Sequence, residues 1–287
     1  MGRGSEAEAS ARIAVLGAGN GAHAFAGDLA LRGHRVRLFT AFPHEIEALR
    51  ARDGIELEGA LRGFGPLELA TTDIGPVLAD SDLILVVVPA TAHRAMAEAC
   101  APHLRDGQAV VLNPGRTGGA LEFRAVLRRL GVAARILVAE AQTLLYTCRI
   151  SGPARVRVSS VKRQVRLAAL PAGDTAAVLA RLNPLYPQFV PAADVLETGL
   201  DNIGAVFHPA GAILSAARIE AGAAFEFYAD LTPGVVRVME AVDAERLAVA
   251  RAYGLGLPSA ADWLALSYPG ISGESLHERL RSCAAYR

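Results

Sequence analysis

A glycine-rich segment near the start of the chain has the spacing of a dinucleotide-binding turn. It runs Gly17-Ala18-Gly19-Asn20-Gly21-Ala22, between an apolar stretch that ends at Leu16 and an alanine- and leucine-rich stretch. The glycines permit a tight turn and close approach of a diphosphate, and Ala22 stays small where helix and strand must pack. Backbone N–H groups at a helix N-terminus bind such an anion. The predicted cofactor contacts here are Gly17, Gly19, Asn20, Gly21 and Ala22.

The end of the second predicted strand bears on the choice between NAD and NADP. An acidic side chain about 20 positions beyond the glycines commonly holds the adenosine ribose of NAD. The strand Arg35–Thr40 and the two residues after it offer only Thr40. Thr40 tolerates a 2′-phosphate, although no arginine follows to pair with one. We expect NADP or NAD, with a slight preference for NADP; the alternative is that Thr40 only ends a strand.

Two later strand ends are expected at the same edge of the sheet, where ligands of open α/β sheets bind. They are Val88-Pro89-Ala90 and the glycine-rich Asn113–Gly119. We predict that Val88, Pro89, Asn113 and Gly115 contact the cofactor. Arg116 in the second segment has the geometry to pair with a substrate carboxylate through two hydrogen bonds. The alternative is a solvated arginine in a surface loop.

A histidine in the second half of the chain is the candidate for proton transfer. Proline at the first position of a predicted helix, Pro209–Ala221, puts His208 at or beside its N-cap. A helix dipole opposes protonation there, so the imidazole should be a neutral proton acceptor near pH 7. A structural role for His208 is the alternative.

The elements that position these residues alternate between strand and helix in the first half of the chain. This alternation predicts an α/β fold with a doubly wound, Rossmann-type parallel sheet. After Glu140, period-two alternation over 155–160 predicts antiparallel hairpins. The predicted strands are Ile13–Leu16, Arg35–Thr40, Leu67–Ala70, Leu83–Val88, Ala109–Leu112 and Arg135–Val138.

Proline and asparagine punctuate residues 183–191 and predict a domain boundary near 190. Beyond it the pattern is helical, at Pro209–Ala221, Pro233–Tyr253 and Ala260–Leu266, so the second domain should be all-α. We therefore expect a flexible tail at 1–11, a dinucleotide-binding domain at 12–190 and a helical substrate or dimerisation domain at 191–287. The long helices suit a homodimer interface and a monomer core equally.

The composition of the chain limits the kinds of binding partner that we expect. The 287 residues carry 29 basic and 29 acidic side chains, so no net charge attracts nucleic acid or a membrane surface. The longest apolar run, Leu83–Ala92, is too short to cross a bilayer. Three cysteines without a CxxC pair and a polar N-terminus predict a cytoplasmic protein, and the histidines form no metal-ligand spacing. A small-molecule partner is expected.

Several longer segments resemble one enzyme family, the opine dehydrogenases, from Ile13 across nearly the whole chain. The similar segments in the first half are GAGNGA (17–22), NPGRTGG (113–119), EAQT (140–143) and TCR (147–149). In the second half, residues 207–220, 225–236 and 240–255 resemble the helical domain of octopine and nopaline dehydrogenases. The resemblance implies a Rossmann domain followed by a helical domain, in an arrangement like that of 6-phosphogluconate dehydrogenase.

The resemblance also implies an activity. Members of this family use NADH or NADPH to couple the amino group of an amino acid or amine to a 2-oxo acid, such as pyruvate, through an imine. His208 matches the catalytic histidine of the family. Arg116 and Thr143 are expected to contact substrate, and Asn202 to hold either the substrate or the nicotinamide end of the cofactor.

Two positions depart from the family pattern. Gly204 stands where relatives often carry a second asparagine. The family also pairs its histidine with an aspartate in an Arg-Tyr-x-x-Glu-Asp segment, which supplies a carboxylate-binding arginine, and no such segment precedes Arg287. We expect the natural protein to continue beyond Arg287; if it does not, Asp230 is the candidate substitute.

Two other functions remain open from the sequence. A ketopantoate or β-hydroxyacid-type reductase shares the two-domain plan but uses a lysine from the helical domain. The only lysine, Lys162, precedes the predicted boundary, which argues against that enzyme. A non-catalytic dinucleotide-binding sensor is the second alternative, and it would bind nucleotide without turnover.

Overall fold

Two β-sheets and a group of helices make up this computed structural model, which describes residues 10–222, 224 and 226–286. Most of the tail predicted at 1–11 therefore lies outside the described residues. The strands are β1 (Arg12–Leu16), β2 (Arg35–Phe39), β3 (Gly54–Gly59), β4 (Gly63–Pro66), β5 (Leu69–Thr71), β6 (Leu83–Val86), β7 (Ala109–Leu112), β8 (Leu137–Ala141), β9 (Tyr146–Gly152), β10 (Arg155–Val161), β11 (Val165–Ala169) and β12 (Phe189–Pro191).

The helices alternate with the strands of the first half and then follow one another. They are α1 (Asn20–Leu31), α2 (Pro43–Arg52), α3 (Ile74–Ala79), α4 (His93–Cys100), α5 (Gly119–Arg129), α6 (Thr175–Leu182), α7 (Val195–Leu200), α8 (Gly204–Leu214), α9 (Ala216–Glu220), α10 (Pro233–Ala252), α11 (Ala260–Ser267) and α12 (Leu276–Ser282). Among the described residues, none of these helices combines the length and apolar character that a membrane span needs.

The larger sheet has the strand order β12-β11-β8-β7-β6-β1-β2-β5. Its neighbours pair in parallel except β11 with β8, which are antiparallel. Because the chain runs outward from β1 in both directions, the order reverses between β1 and β6, where ligands bind in doubly wound sheets. The predicted doubly wound sheet is confirmed, and β7 has the predicted bounds, whereas β5 and β8 begin two residues later than predicted.

Side chains from the two faces of this sheet enter two separate apolar clusters. In β1, Ile13 and Val15 join the cluster around α1, while Ala14 and Leu16 join the one formed with α3, α4 and α5. This split follows from the period-two geometry of a strand. Burial on both faces explains why β1, β6 and β7 read as continuous apolar runs rather than alternating ones.

A smaller sheet, in the order β4-β3-β10-β9, packs on the outer side of α1. The predicted hairpin is confirmed, since β9 and β10 pair antiparallel. The companion hairpin β3–β4 was not predicted, because its glycines and Pro66 resemble a loop. Its partner strand is supplied from far along the chain, since β3 pairs in parallel with β10.

The helical part has its own core from Ile203 onward. Val206, Phe207, Met239 and Leu264 form the centre of this third apolar cluster. No strand occurs in the described residues after Pro191, so the all-α prediction is confirmed. Helix α7, which follows the boundary predicted near residue 190, packs on the large sheet through Val195.

Candidate active site

A cavity of about 750 Å³ separates the carboxyl ends of the sheet strands from the helical part. We call its two sides the sheet wall, formed by residues 19–21, 87–89, 113–114, 116, 143–144, 146–149, 159 and 162, and the helical wall, formed by residues 203–204, 207–208, 226–228, 263, 268 and 285–286. The predicted residues that line it are Gly19, Asn20, Gly21, Val88, Pro89, Asn113, Arg116, Thr143 and His208. The predicted residues outside its lining are Gly17, Ala22, Thr40, Gly115 and Asn202.

The glycine turn has the backbone that a dinucleotide needs. Gly17 has φ +121°, and a Cβ there would lie 2.4 Å from the carbonyl oxygen of Val87, so no other residue fits without strain. Gly19 is the N-cap of α1, makes no side-chain capping bond and has open space around its Cα. The free N–H groups of the first turn of α1 can therefore hold a phosphate.

Thr40 is buried at the end of β2 and does not stand alone. Its hydroxyl donates a hydrogen bond of 2.5 Å to the carboxylate of Glu45, in the first turn of α2. Glu45 also lies close enough to His23 of α1 for their charges to interact. A carboxylate from the following helix therefore lies next to the end of β2. Sequence spacing missed it because the chain turns back between Thr40 and Glu45.

The loop 113–119 rests on a buried carboxylate. Glu140 accepts hydrogen bonds from the N–H of Ala120 at 2.7 Å and from the hydroxyl of Thr198 at 2.6 Å. Burial raises the pKa of Glu140 above its usual range, while both hydrogen bonds oppose that rise. A Cβ at Gly115 would lie 2.3 Å from the Cβ of Glu140, so the loop can sit this close only with glycine.

The side-chain amide of Asn113 offers a further polar group at the cavity. It is fully buried, and neither its nitrogen nor its oxygen has a hydrogen-bond partner among the described residues. Unpaired buried amides are rare, and this one is available to a ligand that enters the cavity. Together with the glycine turn, it fits the carboxamide-bearing end of a nicotinamide dinucleotide.

Arg116 reaches across the cavity to the helical part. Its guanidinium donates to the side-chain oxygen of Asn202 at 3.3 Å, and Asn202 in turn donates to the hydroxyl of Thr117 at 3.3 Å. Asn202 therefore lies behind Arg116 rather than on the cavity surface. Desolvation by the surrounding residues lowers the pKa of Arg116. A half-buried cation of this kind favours an anionic ligand.

Gly204 makes room for this arrangement. A Cβ at position 204 would lie 2.6 Å from the Arg116 guanidinium, 3.1 Å from the Asn202 side-chain oxygen and 3.4 Å from the His208 ring. The absence of a side chain at Gly204 therefore lets Arg116, Asn202 and His208 meet. The sequence showed that Gly204 departs from the family pattern, but it did not show that the missing side chain makes room for these three residues.

His208 lies on the helical wall, but not at an N-cap. Helix α8 begins at Gly204, so His208 is in its second turn and Pro209 lies inside the helix. The predicted dipole effect at an N-cap is therefore wrong. The pKa of His208 is nevertheless lowered, mainly by desolvation and secondly by the positive charge of Arg116. The ring, exposed toward the cavity, thus tends to be neutral near pH 7.

The partner of His208 is a tyrosine. Nε2 of His208 lies 3.0 Å from the hydroxyl of Tyr228. Asp230, the candidate substitute for the family aspartate, accepts hydrogen bonds from Arg218 at 3.3 Å and from the N–H of Glu226 at 2.9 Å, and none from His208. The expectation for Asp230 is therefore wrong in this structure. No sequence signal identified Tyr228, because its contact depends on how residues 226–230 fold back onto α8.

These features define a class of protein. NAD(P)-dependent oxidoreductases typically join a dinucleotide-binding sheet to a helical domain, and the cavity between the two holds polar groups such as this histidine and arginine. Two family models match the chain accordingly. Residues 12–113 match the N-terminal part of NAD-dependent glycerol-3-phosphate dehydrogenase, and residues 191–287 match the α-helical domain of NAD/NADP octopine/nopaline dehydrogenase.

A comparison with known proteins identifies the family. The opine dehydrogenase of Arthrobacter sp. (strain 1C) is 41% identical over 280 residues, which cover 97% of this chain and 77% of that protein. This chain belongs to the opine dehydrogenase family, as its sequence resemblance predicted, and is an NAD(P)-dependent oxidoreductase.

Solved structures of the family share the fold. Octopine dehydrogenase in complex with NADH and agmatine matches with a TM-score of 0.77 at 24% identity, over 97% of this chain and 75% of that one. NADP⁺-bound yersinopine dehydrogenase matches with a TM-score of 0.68 at 17% identity, over 96% and 76% of the two chains.

Proposed function

We propose that this protein reductively couples the amino group of an amino acid or amine to a 2-oxo acid such as pyruvate. The observation that carries the proposal is the meeting of Arg116 and His208 at Gly204, in the same cavity as the glycine turn. Arg116 supplies a bidentate partner for a carboxylate, and His208 supplies a neutral proton acceptor.

The reaction balances with these groups. The amine nitrogen bonds to the keto carbon of the oxo acid, and water leaves to give an imine. His208 accepts the proton released as the amine attacks and returns one to the departing hydroxyl. Bound NAD(P)H supplies the hydride that reduces the C=N bond. One oxo acid, one amine, one NAD(P)H and one proton thus give one secondary amine, one NAD(P)⁺ and one water.

The remaining predicted residues receive supporting roles in this proposal. Asn202 is a positioning residue, since it holds the guanidinium of Arg116 from behind. Thr143 lines the cavity, and we assign it a contact with the substrate. The unpaired amide of Asn113 fits the carboxamide of the cofactor, and Val88 and Pro89 border the same end of the cavity.

The test is NAD(P)H oxidation, followed by absorbance, with pyruvate or 2-oxoglutarate and a panel of amino acids and amines. We expect oxidation only when an oxo acid and an amine are both present. Oxidation with the oxo acid alone would favour a ketopantoate-type reductase. Cofactor binding without turnover of any pair would favour a sensor, and either result would overturn the proposal.

For the cofactor we propose NADH, the reverse of the slight preference for NADP inferred from Thr40. Glu45 supports this choice, because its carboxylate, hydrogen-bonded to Thr40, can accept a hydrogen bond from a ribose hydroxyl and repels a 2′-phosphate. Glu45→Gln should raise kcat/KM for NADPH roughly tenfold, as expected for loss of one nearby like charge, while Glu47→Gln on the same helix is the matched control. A wild-type preference for NADPH would overturn the proposal.

The assembly and location predicted from the sequence are proposals of the same kind. Exposed apolar side chains on α8 and α10, among them Ile213 and Val249, suit a homodimer rather than a monomer. Analytical ultracentrifugation separates these arrangements. The three cysteines are buried and form no disulfide with one another, which supports the proposal of a cytoplasmic location.

A further inference from the structure

The single lysine of the chain lies in the wall of the cavity. Lys162 follows β10, is only 4% exposed, and borders the space that His208 and Arg116 also border. Its ammonium donates one hydrogen bond, of 2.8 Å, to the carbonyl oxygen of Leu144 and lies 5.2 Å from the centre of the Tyr268 ring. An ammonium has three N–H donors, so two remain for a ligand.

Within the part of the chain that the structure describes, the charge of Lys162 has no counter-ion. The buried guanidinium of Arg246, by contrast, pairs with Asp243 at 2.8 Å. Among the described residues, no carboxylate lies within ion-pair distance of Lys162. A buried, unpaired cation is costly, and an anion that enters the cavity would remove that cost.

The surroundings of Lys162 also offer a donor. Trp263 borders the cavity, its ring packs at 6.1 Å against Tyr268, and its indole N–H has no hydrogen-bond partner among the described residues. Tyr268 is fixed in turn by a 3.0 Å hydrogen bond between its hydroxyl and that of Thr147. The ammonium of Lys162 and the ring of Trp263 therefore both lie near the ring of Tyr268, in the lining of the same cavity.

We infer that Lys162, with Tyr268 and Trp263 beside it, forms a second carboxylate-binding subsite that takes the carboxylate of the amino-acid substrate. This inference rests on the proposed function, because the product of that reaction carries two carboxylate arms when the amine is an amino acid. Arg116, held by Asn202, takes the arm of the 2-oxo acid. Lys162 takes the other arm, so the enzyme prefers amino acids to amines that lack a carboxylate.

The test compares Lys162→Met with Arg163→Met, which removes the neighbouring charge from an exposed position outside the cavity. Lys162→Met should raise KM for the amino acid roughly tenfold to a hundredfold, the usual worth of a charge-assisted hydrogen bond. KM for the oxo acid and Kd for NADH should stay within about twofold of wild type. With the matching amine that lacks a carboxylate, wild type and Lys162→Met should have equal KM, and Lys162→Arg should recover part of the loss.

Three outcomes of these measurements would overturn the inference. An unchanged KM for the amino acid would mean that Lys162 binds no substrate. A raised Kd for NADH would assign the charge to the cofactor diphosphate. A collapse of kcat at unchanged KM would assign Lys162 to proton transfer, as in a ketopantoate-type reductase.

A binding measurement separates this inference from the proposed function. Trp263 is the only tryptophan, so its fluorescence reports on the cavity. In the presence of NAD⁺, malonate should quench wild type and Arg163→Met saturably, and Lys162→Met at least tenfold more weakly. Equal quenching of all three would overturn the subsite even if the enzyme is active, whereas the expected difference would support it even if no amine is turned over. Lys162→Gln serves in place of Lys162→Met if the latter does not fold.

Discussion

The sheet wall and the helical wall of the cavity are built by different means. Directly behind the sheet wall, the backbone is fixed by contacts that exclude a Cβ, at Gly17 against Val87 and at Gly115 against Glu140. On the helical wall, position depends on side-chain contacts between distant segments, such as His208 with Tyr228. The difference shows that a short sequence motif can fix the position of a backbone segment, whereas the positions of the reactive side chains depend on how the whole chain packs. It also predicts different consequences of mutation on the two walls.

The largest effect is expected from removing the imidazole on the helical wall. His208→Gln should lower kcat by about 10²- to 10⁴-fold, the usual contribution of a general acid–base group. Kd for NADH should not change, because the glycine turn is untouched. Stopped-flow absorbance and fluorescence titration measure the two quantities, and His103→Gln, remote from the cavity, is the control. A kcat within tenfold of wild type would remove His208 from the chemistry.

Behind the sheet wall, a single substitution should lower the stability of the fold rather than the catalytic rate. Gly115→Ala places a Cβ 2.3 Å from that of Glu140, so either the loop or Glu140 must move. Overpacking of this kind costs about 1–3 kcal/mol of the free energy of unfolding. Chemical denaturation measures it, with Gly173→Ala, where a Cβ meets nothing within 4 Å, as the control. Equal stability of the two variants would contradict the account of the loop.

Gly204 lies where the two walls meet, and a smaller effect is expected there. A Cβ at 204 would displace the end of the Arg116 side chain, which is flexible, so stability should change by less than about 1 kcal/mol. KM for the oxo acid should rise roughly tenfold as the hydrogen bond between Arg116 and Asn202 is lost. Steady-state kinetics on Gly204→Ala test this, against Gly234→Ala in the first turn of α10, and an unchanged KM would show that Arg116 does not need Asn202.

The smallest effect is a displacement along the pH axis. Burial and the charge of Arg116 lower the pKa of His208, so the imidazole stays neutral as pH falls below 6.5 and is protonated only at more acid pH. The acid limb of kcat/KM should therefore lie below pH 6.5. NMR titration of the ring provides the matching measurement. A limb above pH 6.5 would mean that another group controls the rate.

The sequence predicts the sheet wall better than the helical wall for a physical reason. Strand and turn signals are local, so β7 and the glycine turn could be placed from short stretches of residues. The proline signal at Pro209 failed because helix α8 had already begun at Gly204. Glu45 and Tyr228 were missed because each reaches its partner through a turn of the chain that no periodicity encodes. Lys162 was located in the right hairpin, but its burial in the cavity depends on packing against Tyr268.

The most direct test of the central claim is a crystal structure of this protein grown with NADH. We predict that the diphosphate lies on the first turn of α1 and that the nicotinamide ring lies in the cavity, with its carboxamide at Asn113 and its reactive face toward His208 and Arg116. Electron density that seats the nicotinamide outside this cavity, or with His208 turned away from it, would contradict the account.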